Sequence, residues 1–80
     1  MKRMIRITIT LTGPAAELIG HEALEYKLVQ PATVGELLEL MYVKYPDLAA
    51  RATCLQMAVN GKPADILTEL AEGDLVTISV

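Results

Sequence analysis

The sequence predicts an α+β fold in which a mixed sheet of four to five strands packs against one helix. Three observations predict it. Residues 4–11 alternate strictly between apolar and polar, the period of a half-buried strand. Residues 34–45 carry apolar side chains at three- and four-residue intervals, the period of an amphipathic helix. Turn residues, above all Asn60-Gly61 and Glu72-Gly73-Asp74, separate short apolar runs on the far side of that helix.

In the first strand Ile5, Ile7, Ile9 and Leu11 point one way, and Arg6, Thr8 and Thr10 the other. Gly13-Pro14 interrupts it, because proline has no N–H to give a ladder and glycine permits a sharp turn. Residues 15–20 read as a loop with room for one helical turn. Residues 23–29 alternate again, with Leu24, Tyr26 and Leu28 on one side, and pair back on the first strand as a loose hairpin.

Pro31 stops that strand. Thr33-Val34-Gly35-Glu36 then has capping-box spacing, in which the threonine hydroxyl and the glutamate carboxylate satisfy free backbone donors at a helix start. Val34, Leu37, Leu38, Met41, Tyr42 and Tyr45 form the apolar stripe, with Glu36, Glu39 and Lys44 on the wet side. Pro46 ends the helix, since a residue before proline avoids helical angles. Residues 47–53 read as a connecting loop anchored in the core by Leu48.

Leu55, Met57 and Val59 alternate with Cys54, Gln56 and Ala58, and Asn60-Gly61 turns this strand tightly into a short fourth element over residues 62–66. After the Glu72-Gly73-Asp74 turn, Val76, Ile78 and Val80 alternate with Leu75, Thr77 and Ser79 in a closing strand. A single helix covers only one sheet face. The first strand, the most regular and apolar, is the expected centre, with the closing strand parallel beside it. A mixed sheet wrapped on one helix in this order is the β-grasp, or ubiquitin-like, fold.

Composition agrees with one small domain over residues 1–80. The chain is 52% hydrophobic and 21% charged and has neither Phe nor Trp, so its core must be built from Leu, Ile, Val, Met and Tyr. A net charge of -3, with acidic and basic residues interleaved, excludes the basic face of a nucleic-acid binder. No run approaches the roughly 20 apolar residues of a membrane helix. The alternation that follows Met1-Lys2-Arg3 is unlike a signal peptide, so a cytosolic location is expected.

Cys54 is the only cysteine, which excludes an internal disulfide or a cysteine zinc cluster. His21 stands alone in a loop and reads as exposed and nonfunctional. Cys54 lacks a basic or helix-terminal neighbour to activate it. Glu72 and Asp74 read as turn residues, and Gly13, Gly61 and Gly73 as turn positions outside any phosphate-binding pattern. The uncovered sheet face around Arg6, Thr8, Gln56 and Thr77 is open to a partner or a second copy, or simply to solvent.

Five segments in order resemble the MoaD/ThiS family, the small subunit of molybdopterin synthase and the thiamine-pathway sulfur carrier. They are the opening strand with Thr12-Gly13, Pro31-Ala32-Thr33-Val34-Gly35-Glu36-Leu37-Leu38, Tyr45-Pro46-Asp47-Leu48, Ala58-Val59-Asn60-Gly61, and Leu70-Ala71-Glu72-Gly73-Asp74-Leu75-Val76. The proline-bounded helix is closer to the molybdopterin branch.

The resemblance implies a carrier whose C-terminal glycine is adenylated by an activating enzyme and then converted to a thiocarboxylate. A thin Gly-Gly tail suits this, because it threads narrow channels. The sequence stops at Ile78-Ser79-Val80 without Gly-Gly, and Val80 is expected to be held within the sheet. No catalytic, cofactor-binding or metal residue is therefore assigned, and no cofactor. Two functions follow as expectations. One is a sulfur carrier of molybdenum cofactor biosynthesis, partnered by a large synthase subunit and an activating enzyme. The other is a noncatalytic β-grasp interaction module that docks without carrying sulfur. Self-association through a sheet edge is a third, and an enzyme in its own right is not expected.

Overall fold

The computed structural model describes residues 3–79. Its first strand, β1 (Arg3–Leu11), buries Ile5, Ile7, Ile9 and Leu11 to 3% exposure or less, while Arg6 and Thr8 stay in solvent. Alternation thus places one face of β1 in the core, each buried Ile or Leu contributing about 1.5–3 kcal/mol.

Gly13 lies in the left-handed region at φ 57° and turns the chain into α1 (Pro14–Ile19), with Pro14 in the first turn, where a missing N–H costs nothing. The helical turn for which the loop left room is therefore present as a short helix, which buries Ala15 and Ile19. Ala-Ala-Glu-Leu favours helix, and Gly-Pro starts this one as well as ending the strand before it. β2 (Ala23–Gln30) returns antiparallel to β1, with Leu24, Tyr26 and Leu28 on the helix side.

The Gln30–Pro31 peptide is cis. β3 (Ala32–Thr33) then leads into α2 (Val34–Lys44), whose Val34, Leu37, Leu38 and Met41 are buried. Thr33 Oγ1 accepts the Glu36 N–H at 3.3 Å. Only that half of the expected capping box forms among the described residues. The N–H groups of Val34 and Gly35 go instead to the carbonyls of Thr68 and Ile66, at 2.9 and 3.0 Å. Gly35 allows this approach, because a Cβ there would lie 3.0 Å from the Ile66 carbonyl oxygen.

The expected loop after α2 is helical too. A single turn, α3 (Pro46–Ala49), and a 3-10 turn (Ala52–Cys54) hold Leu48 fully buried, so the anchor is where the sequence places it. β4 (Gln56–Val59) and β5 (Lys62–Ala64) form a hairpin across Asn60-Gly61, both at positive φ (53° and 82°), as a mirror-image two-residue turn requires. β6 (Glu69–Leu70) pairs with β3 in a small second sheet, a ladder too short to leave an alternation signal.

β7 (Leu75–Ser79) closes the main sheet, whose order is β2-β1-β7-β4-β5. It runs parallel to β1 and antiparallel to β4. β7, rather than β1, holds the middle position. Because β2 already occupies one side of β1, the closing strand takes the other, and the β4–β5 hairpin can add only beyond it. Val76 and Ile78, both fully buried, join the β1 isoleucines beneath α2 in one apolar layer.

Candidate functional site

Among the described residues, no element covers the sheet face away from α2. Across it lie Glu25 and Lys27 of β2, Arg6 and Thr8 of β1, Thr77 and Ser79 of β7, and Gln56 and Ala58 of β4. Arg6, Thr8, Gln56 and Thr77 do share this face, but their register positions spread them over three strands rather than into one cluster. Arg6 reaches Glu25 at 3.4 Å, an exposed ion pair that contributes little.

One part of this face is concave. Where β7 runs out to Ser79, the neighbouring small residues Ala58, Pro63 and Ala64 leave a shallow groove of about 480 Å³, walled by Leu55, Gln56, Thr77 and Ser79. Ser79 stands opposite Gln56, and the Ile78 carbonyl on the other flank accepts the Thr12 N–H at 3.1 Å. The groove therefore borders the rim toward which β7 directs the chain. Among the described residues it is lined by no charged side chain, so it offers shape and hydrogen bonds rather than acid-base chemistry. Sequence reasoning missed it because Ala58, Pro63 and Thr77 carry no chemical signature. Their small size opposite one another was the available signal.

Val80, expected to be held within the sheet, lies outside the described residues, as do Met1 and Lys2. His21 is exposed after α1 and is not brought to the groove. Cys54 ends the 3-10 turn, exposed, two residues before β4, with its Sγ 3.9 Å from Thr53 Oγ1. Among the described residues no three His, Cys, Asp or Glu side chains gather in a metal-binding arrangement.

Glu72 and Asp74 have work within the fold. Asp74 accepts from Asn60 Nδ2 at 2.9 Å and from the Ala71 N–H at 2.8 Å, locking the last turn to the β4–β5 hairpin. Asn60 Oδ1 in return accepts the Leu75 N–H at 3.0 Å. Glu72 accepts the Arg6 N–H. Tyr26 and Tyr42 are held above the ordinary phenol range by burial, and for Tyr26 neighbouring Tyr45 adds to the rise while Lys44 opposes it. The Tyr26 hydroxyl is enclosed, without a hydrogen-bond partner among the described residues. No described helix is long and apolar enough to cross a membrane.

Residues 9–78 match the model of the ThiS family. The chain is 35% identical over 74 residues to the molybdopterin synthase sulfur carrier subunit of Mycobacterium tuberculosis, covering 91% of this chain and 89% of that protein. Among solved structures it superimposes on H. volcanii small archaeal modifier protein 1 with a TM-score of 0.84 at 22% identity, over 94% of this chain and 95% of that one. A putative molybdopterin converting factor subunit 1 from Pyrococcus furiosus gives a TM-score of 0.86 at 20% identity, over 94% and 95%. At these identities the two structures speak for the fold, a β-grasp.

Proposed function

The chain belongs to the ThiS family, within the MoaD/ThiS group of small sulfur carriers, and on that premise we propose that it is the carrier subunit of a molybdopterin-type synthase. It works as one domain over residues 1–80, in the cytosol, and is acted on by enzymes rather than being one. Its partners are a larger synthase subunit and an activating enzyme, with a second copy of the chain as a further partner at a sheet edge.

The observation that carries this reading is the position of β7. It lies mid-sheet, clamped by β1 and β4, and points its C-terminal direction past the groove of Gln56, Ala58 and Thr77. A carrier needs a rigid body that aims a chain end into a partner's active site. In the chemistry of this family a terminal carboxylate attacks ATP and releases pyrophosphate. Sulfur delivered by the donor at the sulfide level then attacks the acyl-adenylate carbonyl, AMP leaves with the bonding pair, and a thiocarboxylate remains. Neither step draws a nucleophile or base from the sheet. The domain contributes orientation, and the groove is the place for a partner side chain beside the path along which β7 directs the chain.

The test is made on the gene product isolated from its native source. It is incubated with ATP, a sulfur donor and the activating enzyme of the same organism, and its intact mass is followed. Adenylate addition, or the increment of one oxygen exchanged for sulfur, is the expected result. Stable binding to the enzyme with an unchanged mass would replace the carrier reading with that of an interaction module.

A further inference from the structure

β2 is an edge strand with β1 as its one neighbour among the described residues. The ladder with β1 fixes which of its backbone groups are spent. The Leu11 N–H donates to the Glu22 carbonyl at 2.8 Å, and strict alternation then turns Leu24, Tyr26 and Leu28 toward β1. The N–H and C=O groups of Ala23, Glu25, Lys27 and Val29 face outward. The opposite edge, β5, is only three residues long and carries Pro63, which has no N–H. β2 has eight residues and no proline, which leaves it the open template of this sheet.

We infer that a second copy of this chain docks on β2, antiparallel and related by a two-fold axis through Tyr26. Two constraints select this arrangement. Outward-facing residues must meet outward-facing residues, so the axis must pass through a residue and not between two. An axis through Glu25 sets Glu25 against itself, and one through Lys27 sets Lys27 against itself. The axis through Tyr26 sets Glu25 opposite Lys27 of the second copy, twice over, in hydrogen-bonded pairs. It also uses the strand from residue 23 to residue 29. Charge and backbone phase thus agree on one self-complementary register.

The helix side of the edge fits the same occupant. Leu40 and Val43 of α2, 48% and 84% exposed, flank a groove with Leu28 and Val29 of about 500 Å³. In this register Leu24 of the second copy arrives opposite Leu28, at the mouth of that groove, and the contact repeats across the axis. The β7 groove lies at the far side of the sheet and stays open on both copies. Association at this edge is independent of the carrier chemistry.

Analytical ultracentrifugation over rising concentration, with and without charge reversal, tests it. The wild-type chain is expected to rise from its 8.7 kDa monomer mass toward that of a dimer. Glu25→Lys and Lys27→Glu, each alone, should weaken the association at least tenfold, because each faces like charges across the axis. Mixing the two variants should restore it, since every cross-pair is then opposite in sign. Amide shifts on dilution should be confined to the outward set, Ala23, Glu25, Lys27 and Val29. A wild-type chain that stays monomeric up to its solubility limit, or variants that associate as it does, would overturn the proposal.

Discussion

The carboxylate of Glu72 accepts the backbone N–H of Arg6 at 2.6 Å, sixty-six positions away in the chain. β7 begins only at Leu75, so on that side the start of β1 has no strand to bond. Glu72 takes the N–H there, the Gly73 N–H donates to the Arg6 carbonyl at 2.9 Å, and Thr8 is the first β1 residue to reach Asp74. A turn side chain thus extends the ladder by one rung. Glu72→Ala should lower unfolding free energy by about 1–2 kcal/mol in urea titration. It should also speed hydrogen exchange of the Arg6 amide, while Glu72→Gln retains most of both.

Gly35→Ala sets two effects against each other. Alanine improves helix propensity by up to about 1 kcal/mol. The new Cβ would meet the Ile66 backbone oxygen at 3.0 Å and its Cβ at 3.2 Å, and backbone does not move aside cheaply. Overpacking of this kind costs about 1–3 kcal/mol. Net destabilisation is expected, with faster exchange of the residue 35 amide as its bond to Ile66 lengthens.

Stability should fall in alkali. The folded state holds the Tyr26 and Tyr42 protons more tightly than the unfolded chain, whose phenols titrate at 10.0. Their contribution is therefore whole below pH 10.0 and is lost as pH climbs through the raised folded values. Urea midpoints from neutral pH upward should trace the decline, and Tyr26→Phe should flatten it. That variant also removes an enclosed hydroxyl without a partner, so its midpoint at neutral pH should hold or rise.

Filling the β7 groove should separate docking from folding. Ala58→Arg places a long side chain where Ala58, Pro63 and Thr77 now leave space. The position is on the open face, so the unfolding free energy from urea titration should stay within about 0.5 kcal/mol of the parent. Affinity for the larger synthase subunit proposed as its partner, measured by calorimetry, should drop tenfold or more. Unchanged affinity would remove the groove from the interface.

The sequence revealed the fold where a period repeats several times. Ile5, Ile7, Ile9 and Leu11 declare a two-residue period, and Val34, Leu37, Leu38 and Met41 a helical one. Leu48 and the Asn60-Gly61 turn could be read because burial and positive φ each demand a narrow choice of residue. The helix at Pro14 was legible only as room for one turn, because its glycine-proline pair ends one element and starts the next. β3 and β6, two residues each, are too short to carry any period. The middle place of β7 follows from which flanks remain free, a property of the assembled sheet and not of any strand. The candidate site was the least legible part. Its groove is made by what Ala58, Pro63 and Ala64 lack, and Glu72, read only as a turn residue, gave no hint of the distant amide it binds.

Because β7 sits between the β1–β2 and β4–β5 hairpins, it is the keystone of the sheet. Neither hairpin is hydrogen-bonded to the other except through it, and each alone is too small to persist in water. During synthesis the two halves must wait, unjoined, until residues 75–79 emerge, so folding should be completed in a single late event rather than strand by strand. A body assembled in that way becomes rigid only when its last strand is seated.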